Sequence, residues 1–262
     1  MNETVYAQWD QAEIARSNIE AGNTPAQGLL YGPGQVARYM SPPVESIFPL
    51  EYAYALLGDI EGKRVLDLGC GSGENSFLLS KRGGQVVAVD ISESLIALAK
   101  QRTVLNGGTD TPIEFLCASA HAIPVPDESF DVVFGAAILH HLDLDQTSRE
   151  VFRVLKPGGR AIFKEPVRDS KLIIALRKCI PYQAPDVSPF ERPLTSDEVT
   201  RFSARFRMTA SRSFHLPFVP AVERLPIAQR WRTGAYELDG ALLRRFSGLS
   251  RWSGIRVFAL AK

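Results

Sequence analysis

Two clusters of residues in this chain have the types and spacing to do chemistry. The first is VLDLGCGSGENS (65–76), where Gly69, Gly71 and Gly73 punctuate a short run and Asp67 precedes it within an apolar stretch. Glycines allow the main chain to turn tightly and a ligand to approach it closely. Alone such a run says little, but Asp90 closes the next apolar stretch, QVVAVD (85–90), 19 residues after Gly71. A carboxylate there is placed to accept hydrogen bonds from both hydroxyls of a ribose, so loop and acid together read as a grip for a nucleoside-bearing ligand. The nicotinamide-dinucleotide pattern needs its third glycine one residue later, where Glu74 stands, and this argues against that ligand. The second cluster is His140-His141 in AAILHHLD (136–143). Imidazoles titrate near neutrality and suit proton removal from an oxygen or nitrogen acceptor; the plainer alternative is a pair that only hydrogen-bonds a loop.

Such residues act together only if the elements around them end at one edge. From Arg64 onward apolar strands alternate with amphipathic helices, the pattern of a parallel sheet with covered faces. RVLDL (64–68), QVVAVD (85–90), IEFLCA (113–118), FDVVFGA (130–136) and RAIFKE (160–165) read as the first five strands. Helices are expected over 72–82, 92–106 and 144–155, with Lys156-Pro157-Gly158-Gly159 as a stop and turn. The uninterrupted apolar run in FDVVFGA suits a strand buried on both faces. Beyond Glu165 the regularity breaks: Pro166, Pro181, Pro185, Pro189 and Pro193 surround an expected helix over 170–179. Thr195 with Glu198 has capping-box spacing for a later helix. RMTASRSF (207–214) and GIRVFALA (254–261) are the last strands.

The 262 residues are 45% hydrophobic and 23% charged, an ordinary globular composition that excludes a disordered or fibrous chain. No stretch approaches the roughly 18 to 20 apolar residues of a membrane span, and MNETVYAQWDQAEIARS has neither a basic start nor an apolar run, so a cytoplasmic location is expected. Cys70, Cys117 and Cys179 form no CxxC pair, which suggests neither a disulfide framework nor a zinc site. The net charge of +1 hides an asymmetry: residues 1–63 carry three basic residues against eight acids, whereas 215–262 carry eight basic residues against three acids. Segments so charged either face each other or face partners. A long basic tract is missing, and nucleic acid is not expected as a partner.

VLDLGCGSG, VVAVDIS, AIPVPDESFDVV and RVLKPGG, in this order over roughly residues 60–165, resemble the motifs of class I S-adenosylmethionine-dependent methyltransferases, especially the small-molecule, type 11-like branch. The resemblance implies an α/β, Rossmann-like, seven-stranded and mostly parallel sheet with an antiparallel last strand and helices on both faces. It also implies an N-terminal helical or lid segment (1–62), a methyltransferase domain (63–262) with acceptor-side insertions at about 166–195 and 215–246, and S-adenosyl-L-methionine as cofactor, converted to S-adenosyl-L-homocysteine without a metal. Carried over, Asp67, Gly69, Cys70, Gly71 and Ser72 lie on the methionyl side, Asp90 takes the ribose, Ile91 packs on adenine, and Ser119, Ala120 and Ala136 complete the pocket. The family's acid after strand three is replaced by Ala118-Ser119, which exchanges a charged acceptor for a neutral one and predicts a looser hold on adenine. In some sugar O-methyltransferases the first His of an LHHL segment pairs with an acid ending strand five. Glu165 stands there, so the resemblance implies His140 as base with Glu165 orienting it, and His141 as the second candidate.

Acceptor choice is expected from outside the cofactor core: the N-terminal segment with Tyr31 and Tyr39, the proline-rich insertion, and 215–246, where Phe218, Trp231, Tyr236 and Phe246 mix with Arg224, Arg230, Arg232, Arg244 and Arg245. The leading expectation is methyl transfer to a small acceptor with apolar character, at oxygen. Two alternatives stay open: a lipid or quinone methyltransferase touching a membrane through the basic aromatic segment, and a catalytically silent binding protein that keeps the fold.

Overall fold

The computed structural model describes residues 3–109, 111–170, 192–225 and 230–262, with side chains from Asp10 onward. The helix expected over 170–179 and most of the proline-rich insertion lie outside the described residues. Seven strands form one sheet: β1 (Arg64–Leu68), β2 (Gln85–Asp90), β3 (Glu114–Cys117), β4 (Phe130–Ala136), β5 (Leu155–Pro166), β6 (Arg207–Phe214) and β7 (Ile255–Ala261). Their spatial order is 3-2-1-4-5-7-6. β1 pairs in parallel with β2 and β4, β2 with β3, and β4 with β5; β7 runs antiparallel between β5 and β6. The strand order reverses between β1 and β4, so their following loops leave in opposite directions and open a crevice at the carboxyl edge, where ligands of open α/β sheets bind.

The helices among the described residues are α1 (Glu3–Asn23), α2 (Ala37–Met40), α3 (Pro49–Leu57), α4 (Glu74–Lys81), α5 (Glu93–Leu105), α6 (Leu144–Val154), α7 (Ser196–Ser203), α8 (Phe218–Arg224) and α9 (Arg232–Arg245). One core lies between the sheet and α6 and α7, with Val151, Val154, Val199 and Phe202 against Val133, Phe163 and Phe258. The other lies under α3 and α4, where Tyr54, Leu57, Phe77 and Leu78 meet Val65, Val132, Phe134 and Ile162. β4 feeds both cores with alternate residues, which is why its run is apolar throughout; fully burying a side chain such as Phe134 contributes about 1.5–3 kcal/mol. Residues 39–60 share the second core, so this part of the N-terminal segment is packed into the domain.

Local differences from the expected elements have local causes. The first helix after the glycine loop begins at Glu74, not Ser72, because Gly73 at φ +80° still belongs to the turn. The Lys156–Gly159 turn lies inside β5: Phe130 pairs with Leu155 and Val132 with Arg160, so these four residues leave the ladder as an irregularity and the strand resumes. Lys262 closes over it, donating from its main chain to Gly159 O (3.0 Å) and from Nζ to Phe152 O and Leu155 O (both 2.7 Å).

The α7 start follows its sequence closely. Thr195 Oγ1 accepts from Glu198 N at 3.3 Å while the Glu198 carboxylate accepts from Thr195 N at 2.9 Å, a reciprocal cap of two otherwise orphaned donors. Thr195→Ala is expected to lower stability by about 1 kcal/mol in denaturant unfolding without a change in far-ultraviolet circular dichroism.

Candidate active site

The carboxyl edge gathers four pieces: the loop after β1, Asp90 at the end of β2, the segment after β4, and Glu165 near the end of β5. Gly69 (φ +69°) and Gly73 (φ +80°) hold left-handed conformations that a side chain resists. A Cβ on Gly73 would stand 2.6 Å from Ala99 Cβ and 2.8 Å from its Cα, and one on Gly69 would overlap the Ile138 side chain. These contacts set how closely α5 and the post-β4 segment approach the loop. At Gly71, by contrast, nothing lies within 4 Å of the Cβ position, so the turn is open on its ligand side.

Asp90, only 8% exposed, accepts from Gly71 N (2.9 Å) and Ser92 N (3.0 Å). Its pKa is raised by burial, against those two hydrogen bonds. Arg102, a buried arginine of α5, braces the loop from behind, donating to Ser72 O (2.8 Å), Ser72 Oγ (3.1 Å) and Leu29 O (3.1 Å). Sequence reasoning did not single it out, although a buried cation on a helix face is a signal that something polar must meet it.

A small cavity of about 50 Å³ lies beside the loop, below the range of about 300–1,000 Å³ usual for ligand sites. Gly69, Asp90, Ile91, Ser119, Ala120 and His141 line it, as the sequence leads one to expect. Its fourth wall comes from the N-terminal segment, through residues that the sequence did not single out: Asp10, Glu13, Arg16 and Ser17 of α1 project over it. α1 is held there by polar contacts, Asn18 with Ser92 Oγ at 3.3 Å and Glu13 with His141 Nδ1 at 3.2 Å. His121 was also missed. Its Nε2 accepts from Asp143 N at 3.0 Å, so the neutral ring carries its proton on Nδ1, which faces Ser119 Oγ at 3.2 Å. Tyr31 and Tyr39 lie behind α4 and within the second core, away from the cavity wall.

Other expected residues stand behind the wall. Cys70 is buried in the second core, Ser72 is held by Arg102, and Ala136 ends β4. Asp67 is 1% exposed beneath the loop and accepts from Ser76 Oγ at 2.5 Å; burial pushes its pKa up to about 7 against that hydrogen bond, with a small further push from Asp90.

Behind the cavity the post-β4 segment is tied to β5. Ala137 takes φ +59° and donates its N–H to Lys164 O at 2.7 Å. The next two N–H groups, of Ile138 and Leu139, both donate to Glu165 Oε1 at 2.9 Å, and His140 Nδ1 lies 2.9 Å from Glu165 Oε2. Glu165 is fully buried. An acceptor-only carboxylate requires the proton on His140 Nδ1, which puts the basic lone pair on Nε2. The His140 and His141 rings are 4.0 Å apart between centroids. His140 and Glu165 thus meet as expected, while His141 faces the cavity and Glu13.

The description "methyltransferase domain" fits residues 66–163, a span that holds the loop, Asp90 and both histidines but stops short of Glu165. A demethylmenaquinone methyltransferase of Lactococcus lactis subsp. lactis (strain IL1403) is 40% identical over 110 residues, 40% of this chain and 43% of that protein. A ubiquinone biosynthesis O-methyltransferase of Pseudomonas fluorescens (strain SBW25) is 30% identical over 178 residues, 65% of this chain and 75% of that protein. The chain therefore spans under half of the first relative and three quarters of the second. Among solved structures, a geranyl diphosphate C-methyltransferase from Streptomyces coelicolor A3(2), in complex with Mg2+, geranyl diphosphate and S-adenosyl-L-homocysteine, superposes with a TM-score of 0.58 at 16% identity over 80% of this chain and 78% of that one. At that identity the likeness is one of fold.

The burial of Asp67 has a sign that can be measured. A carboxyl whose folded pKa is raised to about 7 stabilises the fold most below its unfolded value near 4, and that contribution disappears as pH rises toward 7. Relative to the parent chain, Asp67→Asn is expected to gain up to about 4 kcal/mol of stability between pH 4 and pH 8, measured by denaturant unfolding.

Proposed function

The chain belongs to the class I S-adenosylmethionine-dependent methyltransferases that act on small molecules, and from that premise we propose that it methylates a hydroxyl oxygen of a small acceptor with apolar character, with His140 removing the proton. The cofactor suits the residues on the sheet side of the cavity: Asp90 is the one carboxylate there, apolar Val89, Ile91 and Ile138 stand beside it, and the Gly71 Cβ position has nothing within 4 Å. In this reading Asp90 holds the ribose, Ile91 and Ala120 pack on the adenine, Ser119 lies at the adenine end, and the 69–73 turn holds the methionyl part. When bound, S-adenosyl-L-methionine supplies a methyl group already activated on a sulfonium. The protein's part is then alignment and proton removal.

The observation that carries the assignment is the buried Glu165 carboxylate on His140 Nδ1. It fixes the ring plane and tautomer, directs the basic nitrogen away from β5, and stabilises the imidazolium after the proton is taken. Two main-chain donors on the other carboxylate oxygen keep Glu165 in place, so the orientation does not rest on His140 alone. His141, closer to the cavity and facing Glu13, holds α1 over the site in this reading. The relatives named for ubiquinone and menaquinone methylation make hydroxylated rings of the quinone class the first acceptors to try.

The experiment is an acceptor screen by release of S-adenosyl-L-homocysteine. With an acceptor in hand, His140→Ala is expected to cut turnover by about a hundredfold or more, while calorimetric affinity for S-adenosyl-L-homocysteine stays within about twofold. Glu165→Gln is expected to lower kcat and leave the cofactor KM unchanged. Full activity in the His140 variant would sink the assignment of the base.

A further inference from the structure

The basic segment does not find its counter-charge in the acidic one: among the described residues no ion pair joins residues 1–63 to residues 215–262. At the β6 edge of the sheet, four strands from β1 and so about 19 Å away, this has a specific consequence. A pocket of about 550 Å³ opens there between α3, β6 and α9, lined by Tyr52, Arg212, Gly240, Arg244, Ser247 and Ser250. The Gly240 Cβ position is 3.2 Å from Arg244 Nη1 and 3.7 Å from Arg212 Nη2, so two guanidinium groups converge on one point over a residue that has no side chain.

Neither guanidinium makes an ion pair or hydrogen bond among the described residues, and Arg212 Nη2 is buried without a partner. The Arg212 guanidinium is held in position by the Tyr52 and Phe214 rings, with centroids at 5.1 and 4.8 Å. The nearby carboxylates do not neutralise the pair. Asp239 is committed to the His215 and Leu216 N–H groups at 3.0 and 2.7 Å, and Glu45 lies exposed at the rim. Burial draws the Arg212 pKa down, and repulsion from Arg244 draws it further. Two like charges with an unsatisfied buried donor are unfavourable as they stand, and an oxyanion with several acceptor oxygens would relieve both costs, with serine hydroxyls to complete its coordination.

We propose that the Arg212–Arg244 pocket is a binding site for a phosphate-class oxyanion, separate from the cofactor crevice. The phosphate is borne by a small molecule or by an anionic lipid headgroup; exposed Val44 lies in the pocket's lining. The site does not depend on the identity of the methyl acceptor.

The test uses the full chain and Arg244→Gln, a substitution at an exposed position. In phosphate-free buffer the variant is expected to melt at the same temperature as the parent or higher, since a repulsion is removed. Inorganic phosphate is expected to raise the parent's Tm beyond chloride of equal ionic strength, with at least tenfold weaker apparent affinity in the variant and equal affinity of both for S-adenosyl-L-homocysteine. Co-sedimentation with phosphatidylglycerol vesicles, but not phosphatidylcholine, that is competed by phosphate and lost in Arg244→Gln identifies the lipid source; a phosphate response without vesicle binding identifies a soluble ligand. A parent chain indifferent to both phosphate and vesicles, or a variant that matches the parent in both, overturns the proposal.

Discussion

The site is organised around a single buried anion. Glu165, at the end of β5, has no exposed surface, and an ionised carboxylate in such a place is tolerated only when its oxygens are hydrogen-bonded. Three donors meet it: two successive main-chain N–H groups and the His140 ring. The donors all come from one short segment that leaves β4, so the anion's demand for hydrogen bonds dictates that segment's path. The left-handed φ of +59° at Ala137, unfavourable by about 1 kcal/mol for a residue with a Cβ, follows from bringing the next two N–H groups to the same oxygen. Ile138, fixed in this way, then sets the close approach at Gly69. The glycine turn and the histidine pair are therefore positioned by one shared constraint.

Much of this was legible in the residue order. The apolar run 130–136 read as a strand buried on both faces because each face feeds a different core, and the Thr195–Glu198 spacing read as a helix start because the reciprocal cap needs only local geometry. Asp90 was legible because the strand–turn–helix context fixes what a strand-end acid can reach. An N-terminal lid was expected, but the residues of α1 that form it were not legible. Asp10, Glu13, Arg16 and Ser17 share one helix face, but that face is polar, the reverse of the apolar stripe by which a packed helix announces itself. Arg102 and His121 escaped for a related reason: each acts on main-chain atoms or on a hydroxyl far along the chain or across a turn, and such partners leave no periodic trace. The Lys156–Gly159 segment has the composition of a turn and is one, but the ladder continues on both sides of it, which depends on tertiary pairing with Phe130 and Val132.

The charge asymmetry resolves into two places instead of one contact. Acidic side chains of α1 stand over the cofactor crevice, where His141 and Arg16 meet Glu13. At the other end of the sheet Arg244 faces Arg212 of β6 across Gly240. A near-neutral net charge thus covers a local excess of carboxylates at one place and a pair of guanidinium groups at another.

The crevice also has walls of unequal kind. Three belong to the edge of a hydrogen-bonded sheet and move only if the sheet moves. The fourth is a helix that lies against α5 and reaches the crevice through polar side chains, among them Asn18 on Ser92 and Glu13 on His141. An occupant of the crevice therefore meets surfaces of two kinds, a sheet edge fixed by main-chain pairing and a helix side presented by side chains.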